Sequence, residues 1–299
     1  MTPFNILGST SLSRWPLFGW PGLDIGGGVL ETDFLWTVAT TTPSETFTIP
    51  CQNVGTFDAL VDWGDGSTSA IIAYNDAALT HTYASAGDHQ IRISGTFPSL
   101  YFTNLGDTLK VKSVENFGVV GWSQCVNAFW GCSNMTSFVS GNTDTSGVTT
   151  MSTMFFGCSS LTSLDVTSFD TSAVTDTRNM FRGCSSLTAL DVASFDTSAV
   201  TDMRNMILGC ASLTDIIGVE DFNIAGLDGI DALANFARGV TIPTARYDAL
   251  LIKWDAQNPL DGMSPNFGTS TYTGGGTAAA ARANLISTDG WIITDGGIA

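Results

Sequence analysis

The chain has 299 residues, with 28 acidic and 11 basic side chains, a formal net charge of −17 and a pI near 4.1. So few lysine and arginine residues cannot neutralise a row of phosphates, which argues against nucleic acid as a partner. Apolar residues make up 43% of the chain, so we expect a folded protein. No apolar run reaches the roughly 18 residues of a membrane span, and no signal-peptide pattern opens the sequence. Membrane insertion is therefore not expected.

Residues 1–42 combine aromatic residues with glycine and proline. Aromatic rings bury a large area at little cost in side-chain entropy, so this segment is predicted to dock on a partner particle. The alternative is that the rings pack on a β-domain of the chain itself. Deletion of this segment is expected to leave a folded protein that no longer joins its particle. The predicted docking residues are Trp15, Phe18, Trp20, Phe34 and Trp36.

Residues 43–104 contain two strand-like runs, at 61–71 and 81–93. Their W-G-D-G, H-T-Y and G-D-H-Q-I-R-I phrases resemble those of PKD-type domains. The resemblance implies a small β-sandwich that serves as a spacer or an adhesion module. His81 belongs to the H-T-Y phrase and His89 lies in the same segment, so neither histidine of the chain is predicted to be catalytic.

Between residues 105 and 240 the sequence repeats with a period of 26 residues. In each unit a short strand is predicted by the alternation of Leu164, Asp165 and Val166, and an Asp-Thr-Ser turn and a helical turn follow. A single unit cannot bury its apolar side alone, so neighbouring units are predicted to stack. The period is clearest at four cysteines, each preceded by glycine: Cys132, Cys158, Cys184 and Cys210.

The phrase GCSSLTSLDVTSFDTSAVTD, which begins at Gly157, resembles the BspA-like leucine-rich repeats of bacterial surface proteins. Residues 158–183 and 184–209 match that pattern nearly throughout. The resemblance implies a mainly β fold with short helices. Its centre would be a leucine-rich-repeat-type solenoid of about four or five units, preceded by the small β-sandwich and closed by an α/β cap.

Residues 241–299 are predicted to form this cap. Apolar residues at helical spacing predict a helix that begins at Thr244, a second helix is predicted over 278–287, and a closing strand over 291–297. This ending resembles the tail that follows such repeats in bacterial and bacteriophage-encoded surface proteins. The predicted segments of the whole chain are thus 1–42, 43–104, 105–240 and 241–299.

The repeated cysteines are predicted to be buried free thiols. Zinc sites use C-x-x-C pairs, which the sequence lacks, and the spacing follows the repeat instead. A disulfide between Cys51 and Cys125 is the alternative for the two less regular cysteines.

Polar side chains that recur on the predicted strands form the candidate ligand site. Asp165 and Asp191 would face outward on strands roughly 4.8 Å apart, so their charges need water, a cation or hydrogen-bond donors. Arg178 and Arg204 are expected to neutralise a second aspartate column. Calcium at the first column is an alternative, although no known calcium-loop phrase is present, and no other metal or cofactor is predicted. The predicted ligand-binding residues are Thr162, Ser163, Asp165, Thr188, Asp191, Thr214 and Asp215.

These features together predict a non-catalytic bacteriophage virion surface protein, a fibre, spike or decoration subunit that attaches to host-cell glycans. No catalytic residue is assigned. The expected partners are other virion structural proteins, through the N-terminal segment, and a host surface glycan or protein; a homo-oligomer is also expected. The expected location is the virion surface, with the bacterial cell surface as the alternative. The competing functions are a bacterial cell-surface adhesin and a glycan-cleaving spike enzyme.

Overall fold

The computed structural model of the protein describes residues 32–299. Most of its regular structure is β-strand, and many of the strands are only two to four residues long. In chain order the elements are β1 (Phe34–Thr40), β2 (Glu45–Thr48), β3 (Asp58–Asp62), β4 (Thr68–Ile71), β5 (Thr80–Tyr83), β6 (Gly87–Thr96), β7 (Val111–Asn116), β8 (Ser137–Val139), β9 (Ser163–Asp165), β10 (Ala189–Asp191), β11 (Asp215–Ile217), α1 (Thr244–Asp255), β12 (Thr271–Tyr272), α2 (Thr277–Ser287) and β13 (Gly297–Ile298).

A mixed seven-stranded sheet dominates the described part of the chain. Its strand order is β4-β3-β6-β1-β7-β8-β9. β1 pairs antiparallel with β6 on one side and with β7 on the other, whereas β7, β8 and β9 pair parallel. Three two-stranded sheets, β2-β5, β10-β11 and β12-β13, accompany it. The sheet therefore joins antiparallel hairpins to the first units of the 26-residue period.

The predicted leucine-rich-repeat solenoid, preceded by a separate small β-sandwich, is wrong. Strands from the predicted docking segment, the predicted sandwich and the predicted repeats belong to one sheet. β1, with the sequence FLWTVAT, is apolar along most of its length and is buried on both faces. Such a strand is stable only in the interior of a sheet, and it lies between β6 and β7. The broader prediction, a mainly β fold with short helices, fits in part.

The docking prediction is also wrong for two residues of β1. Phe34 and Trp36 are fully buried, and their rings lie 5.2 Å apart in the core. They are not accessible to a partner, and the loss of β1 would remove the strand between β6 and β7. We therefore expect that the chain does not fold without residues 1–42. Trp15, Phe18 and Trp20 lie outside the described residues.

Equivalent backbone hydrogen bonds connect successive 26-residue units. The N–H of Phe129 donates to the carbonyl of Met154 at 2.8 Å, and the N–H of Phe155 donates to that of Met180 at 2.8 Å. The rings of Phe129, Phe155 and Phe181 form a buried row with centroids 5.8 Å apart and nearly parallel planes. The sequence period thus places equivalent side chains beside one another.

All six cysteines are free thiols, which confirms the prediction for the repeated ones. Cys158 donates through Sγ to the carbonyl of Phe129 at 3.2 Å, and burial raises the pKa of its thiol. Cys51 is half-buried and Cys125 is fully buried, and no disulfide joins them. The repeated thiols therefore serve as small core residues, as buried free cysteines commonly do.

The C-terminal helices are confirmed, but the closing strand is mostly wrong. α1 buries Tyr247, Leu250, Leu251 and Trp254, as its apolar spacing predicts. Only the last two residues before Ala299 form strand β13, which pairs with β12. The segment before β13 donates its backbone hydrogen bonds to the loop at 263–270 instead, so it is not part of a regular ladder.

Candidate functional site

A row of exposed threonines crosses consecutive units. The Oγ1 of Thr162 donates to the carbonyl of Thr136 at 3.1 Å, and the Oγ1 of Thr214 donates to that of Thr188 at 3.0 Å. A hydroxyl whose hydrogen is committed in this way still has lone pairs that accept hydrogen bonds. These four residues, which we call the threonine row, therefore offer oriented acceptors to solvent.

The two predicted aspartates lie at the ends of β9 and β10. The Oδ1 of Asp165 accepts hydrogen bonds from the N–H of Thr167 at 3.0 Å and from its hydroxyl at 2.6 Å. The Oδ1 of Asp191 accepts one from the N–H of Ala193 at 3.0 Å. Among the described residues neither Oδ2 receives a hydrogen bond, and both side chains are half-buried. Each carboxylate thus has one oxygen used by a local turn and one that remains available.

The aspartate column ends after these two residues. Asp165 lies opposite Val139 in the parallel ladder, and Asp191 lies opposite Ile217. Asp215 is paired with Ala189, so it lies two residues before the position that continues the column, at the position that Ser163 occupies in its own unit. The two aspartates are therefore bordered by apolar residues.

Asp215 is held by an ion pair within the chain. The Nε of Arg246, on α1, lies 2.6 Å from Oδ1 of Asp215, and Nη1 of the same arginine lies 2.7 Å from Oε1 of Glu220. The hydrogen bond from Arg246 lowers the pKa of Asp215. This carboxylate thus fixes α1 on the last repeat unit.

The predicted neutralisation of the second aspartate column is confirmed. Nη2 of Arg178 lies 2.7 Å from Oδ2 of Asp176, and Arg204 contacts Asp202 with the same geometry. Nε of Arg178 also lies 3.6 Å from Asp202 of the next unit. The second column therefore consists of matched ion pairs that connect two units.

A groove of about 560 Å³ lies at the N-terminal end of the threonine row. Nζ of Lys110 lies 2.7 Å from Oδ1 of Asp107 and 3.1 Å from Oε1 of Glu45. Hydrogen bonds from the backbone N–H of Thr41 and from Lys110 lower the pKa of Glu45 to about 2. Glu45 is therefore ionised at neutral pH. The polar residues that line the groove include Glu45, Asp107, Lys110, Asn134, Thr136 and Ser160.

This groove was not predicted from the sequence, because four separate stretches of the chain build it. The end of β1, the start of β2, the segment before β7 and the first repeat units contribute to its walls. No local motif marks such a site. The one signal in the sequence was the 26-residue period, which aligns Thr136 with Thr162.

His81 and His89 pack against and hydrogen-bond to other side chains of the antiparallel region. Nε2 of His81 lies 2.8 Å from Oδ2 of Asp65 and 3.5 Å from the hydroxyl of Ser67. Because the acid and the hydroxyl meet the same ring nitrogen, they cannot form a Ser-His-Asp relay, which uses both nitrogens. The ring of His81 stacks on Trp63 at 4.9 Å, and the ring of His89 is buried. His81, the histidine of the H-T-Y phrase, thus contacts side chains of its own domain.

No group of three or more His, Cys, Asp or Glu side chains arranged to hold a metal ion occurs among residues 32–299. Calcium at the aspartate column stays a prediction. In the same part of the chain neither α1 nor α2 is long and apolar enough to cross a membrane.

Comparison with known families locates one similarity. Residues 123–238 match the model of DUF285, described as a Mycoplasma protein of unknown function. The matched region coincides with most of the 26-residue period. No curated protein and no solved structure gave a significant match.

Proposed function

We propose that the protein is a non-catalytic surface protein of a bacteriophage virion that attaches to glycans on host cells. The finer assignment of its repeats, as BspA-like, is part of this proposal. The observation that carries it is the threonine row, which repeats one exposed, oriented acceptor on each unit and leads into the groove at Thr136. Sugars present many hydroxyl donors along a chain, and a row of fixed acceptors complements them.

Attachment of this kind gains strength from repetition. Each exposed threonine or aspartate oxygen contributes one modest hydrogen bond, since both partners exchange bonds with water. Several units in one chain, and several copies on one particle, convert such contacts into useful avidity. The expected homo-oligomer would act in the same way.

The groove supports binding better than glycan cleavage. A glycosidase needs one carboxylic acid that is protonated at the working pH beside one that is ionised. Glu45 is ionised, and both it and Asp107 are in contact with Lys110. Hydrogen bonds commit these carboxylates to the protein rather than to the leaving group of a sugar.

The virion location rests on the resemblance of the C-terminal segment to the tails of phage-encoded surface proteins. Docking through Trp15, Phe18 and Trp20 remains part of the proposal. A bacterial cell-surface adhesin is the second candidate, and the similarity of residues 123–238 to a family described from Mycoplasma favours it. Antibody labelling of purified virions and of intact cells distinguishes the two locations.

A cell-binding assay tests the attachment function. The labelled full chain should bind at least one strain in a panel of bacteria, and the Thr162→Val/Thr188→Val variant should bind it more weakly. The matched control is Thr48→Val/Thr80→Val, which removes two exposed threonines bonded to each other across β2 and β5 at 2.9 Å. Equal binding by the row variant, or new reducing ends released from the cell polysaccharide, would contradict the proposal.

A further inference from the structure

A second row of side chains runs across the units, next to the buried phenylalanines. The carbonyl of Trp130 accepts from the N–H of Asn104, and each later member offers its backbone carbonyl to the glycine N–H of the preceding unit. The N–H of Gly131 donates to Phe156 at 2.8 Å, and that of Gly157 donates to Arg182 at 2.8 Å. We call this set the Trp130 row. Its members, all half-buried or exposed, are Trp130, Phe156, Arg182, Leu208 and Arg238.

The first three members form a stacked platform. The rings of Trp130 and Phe156 are nearly parallel, at 10°, with centroids 5.7 Å apart. The guanidinium carbon of Arg182 lies 4.9 Å from the centroid of the Phe156 ring. Nη1 of Arg182 also donates to Oδ1 of Asn179 at 3.3 Å, which fixes the direction of the guanidinium. The platform thus presents aromatic edges beside an oriented cation.

The charges of this row distinguish it from the rest of the surface. Every lysine and arginine among residues 32–299 forms an ion pair with a carboxylate except Arg182 and Arg238. Both exceptions are members of the Trp130 row. In a chain with a net charge of −17, two cations without acidic partners, two units apart in one row, form a local site complementary to an anion.

The backbone beside the row leaves it open to a ligand. The residue after each member is a glycine, and Gly157 and Gly183 have φ values of +76° and +75°. A side chain is strained at such φ values, so glycine is favoured there. The strip beside Phe156 and Arg182 therefore carries no side chain, whereas the side chain of Asn104 lies against Gly131 beside Trp130.

We propose that the Trp130 row is a binding site for an acidic glycan, whose sugar rings lie against the exposed edges of Trp130 and Phe156 while its anionic groups contact Arg182 and Arg238. Arginine pairs with carboxylates and phosphates through two parallel hydrogen bonds, and half-exposed aromatic rings cover the apolar faces of a ring-shaped ligand. The inference rests on the proposed attachment function and names the class of glycan and a site distinct from the threonine row.

Binding of defined polymers to the full-length chain tests this site. The probes are polygalacturonate, which carries carboxylates, a phosphomannan, which carries phosphates on sugar rings, and neutral dextran, each measured by biolayer interferometry. The wild-type chain should bind one of the anionic polymers and bind dextran about tenfold more weakly. The polymer that binds identifies the anionic group. The Arg182→Gln/Arg238→Gln variant should raise the apparent Kd by about tenfold.

Two further variants separate binding from general charge or folding effects. Lys253→Gln removes one cation of an exposed ion pair on α1 and should bind like wild type. Trp130→Leu should weaken binding while circular dichroism shows an unchanged fold. Binding of neither anionic polymer, or equal binding by the double arginine variant, overturns the site. If the chain nevertheless binds bacterial cells, the attachment function stands without this site, whereas binding to no strain overturns that function itself.

Discussion

The antiparallel strands β1 to β6 and the 26-residue units use similar side chains in different ways. In the antiparallel region each residue faces a different neighbour, so His81, Asp65 and Trp63 make contacts that occur once. In the repeated region each residue lies beside its counterpart in the next unit, as Phe129 lies beside Phe155. A residue exposed in one unit is therefore exposed again in the next. Repetition thus creates extended surface rows, whereas the antiparallel region supplies a local wall of the groove.

The largest expected effect comes from the strand that joins the two regions. Deletion of residues 1–42 removes β1 and leaves β6 and β7 without the partner between them. We expect the deleted chain to lack a cooperative thermal transition by circular dichroism, because a core strand with fully buried Phe34 and Trp36 is lost. A truncated protein that melts cooperatively near the wild-type temperature would show that the regions fold independently.

A cavity in the middle of the repeated region should have the next largest effect. The ring of Phe155 is fully buried between those of Phe129 and Phe181, so Phe155→Ala should lower the free energy of unfolding by about 3–5 kcal/mol. Chemical denaturation measures this loss. Leu105→Ala, at an exposed position, is the control and should change stability by less than about 0.5 kcal/mol. Similar losses for both variants would argue against the buried phenylalanine row.

Two threonines in the repeated region separate structural from surface roles. Thr171 is buried and its Oγ1 donates to the carbonyl of Asp196 at 3.0 Å, so Thr171→Val should cost about 1–3 kcal/mol of stability. Thr162 makes a similar bond at the exposed surface, and Thr162→Val should cost less than about 0.5 kcal/mol. Chemical denaturation compares both variants with wild type. The reverse order would contradict the assignment of the threonine row to the surface.

A smaller effect is expected at the contact between the last unit and α1. The pKa of Asp215 is lower in the folded protein than in the unfolded chain because Arg246 binds its ionised form. The ionised pair therefore stabilises the fold above the unfolded pKa of about 3.9, and this contribution is lost as the pH falls through the folded value. Asp215→Asn should thus flatten the acid side of the stability profile, measured by denaturation between pH 3 and pH 7 in roughly half-unit steps. An unchanged profile would show that the ion pair contributes nothing.

The sequence predicted what depends on local pattern or period. The helix at Thr244–Asp255, the buried repeated thiols and the Arg178–Asp176 pair each follow from spacing along the chain. The position of β1 in the sheet could not be predicted from the sequence. Its partners β6 and β7 lie about 50 to 80 residues away, and no local signal specifies that pairing. The ion pair between Asp215 and Arg246 was not predicted for a similar reason, since 31 residues separate the two side chains and no repeat relates them.

The threonine row and the Trp130 row could likewise be predicted only in part from the sequence. Thr162 and Asp165 were found because they lie on predicted strands. Trp130 and Phe156 share the 26-residue period, but their exposure depends on which way the turn faces, which spacing alone does not determine. The absence of carboxylates near Arg182 is likewise a property of the folded surface.

A crystal structure of the full chain with a short oligomer of the anionic polymer that binds tests the central claim most directly, namely that repeated rows bind a glycan without cleaving it. We expect an intact oligomer along the Trp130 row, with its anionic group within hydrogen-bond distance of Arg182 or Arg238. A shortened oligomer, or one bound within the antiparallel region away from both rows, would contradict the account.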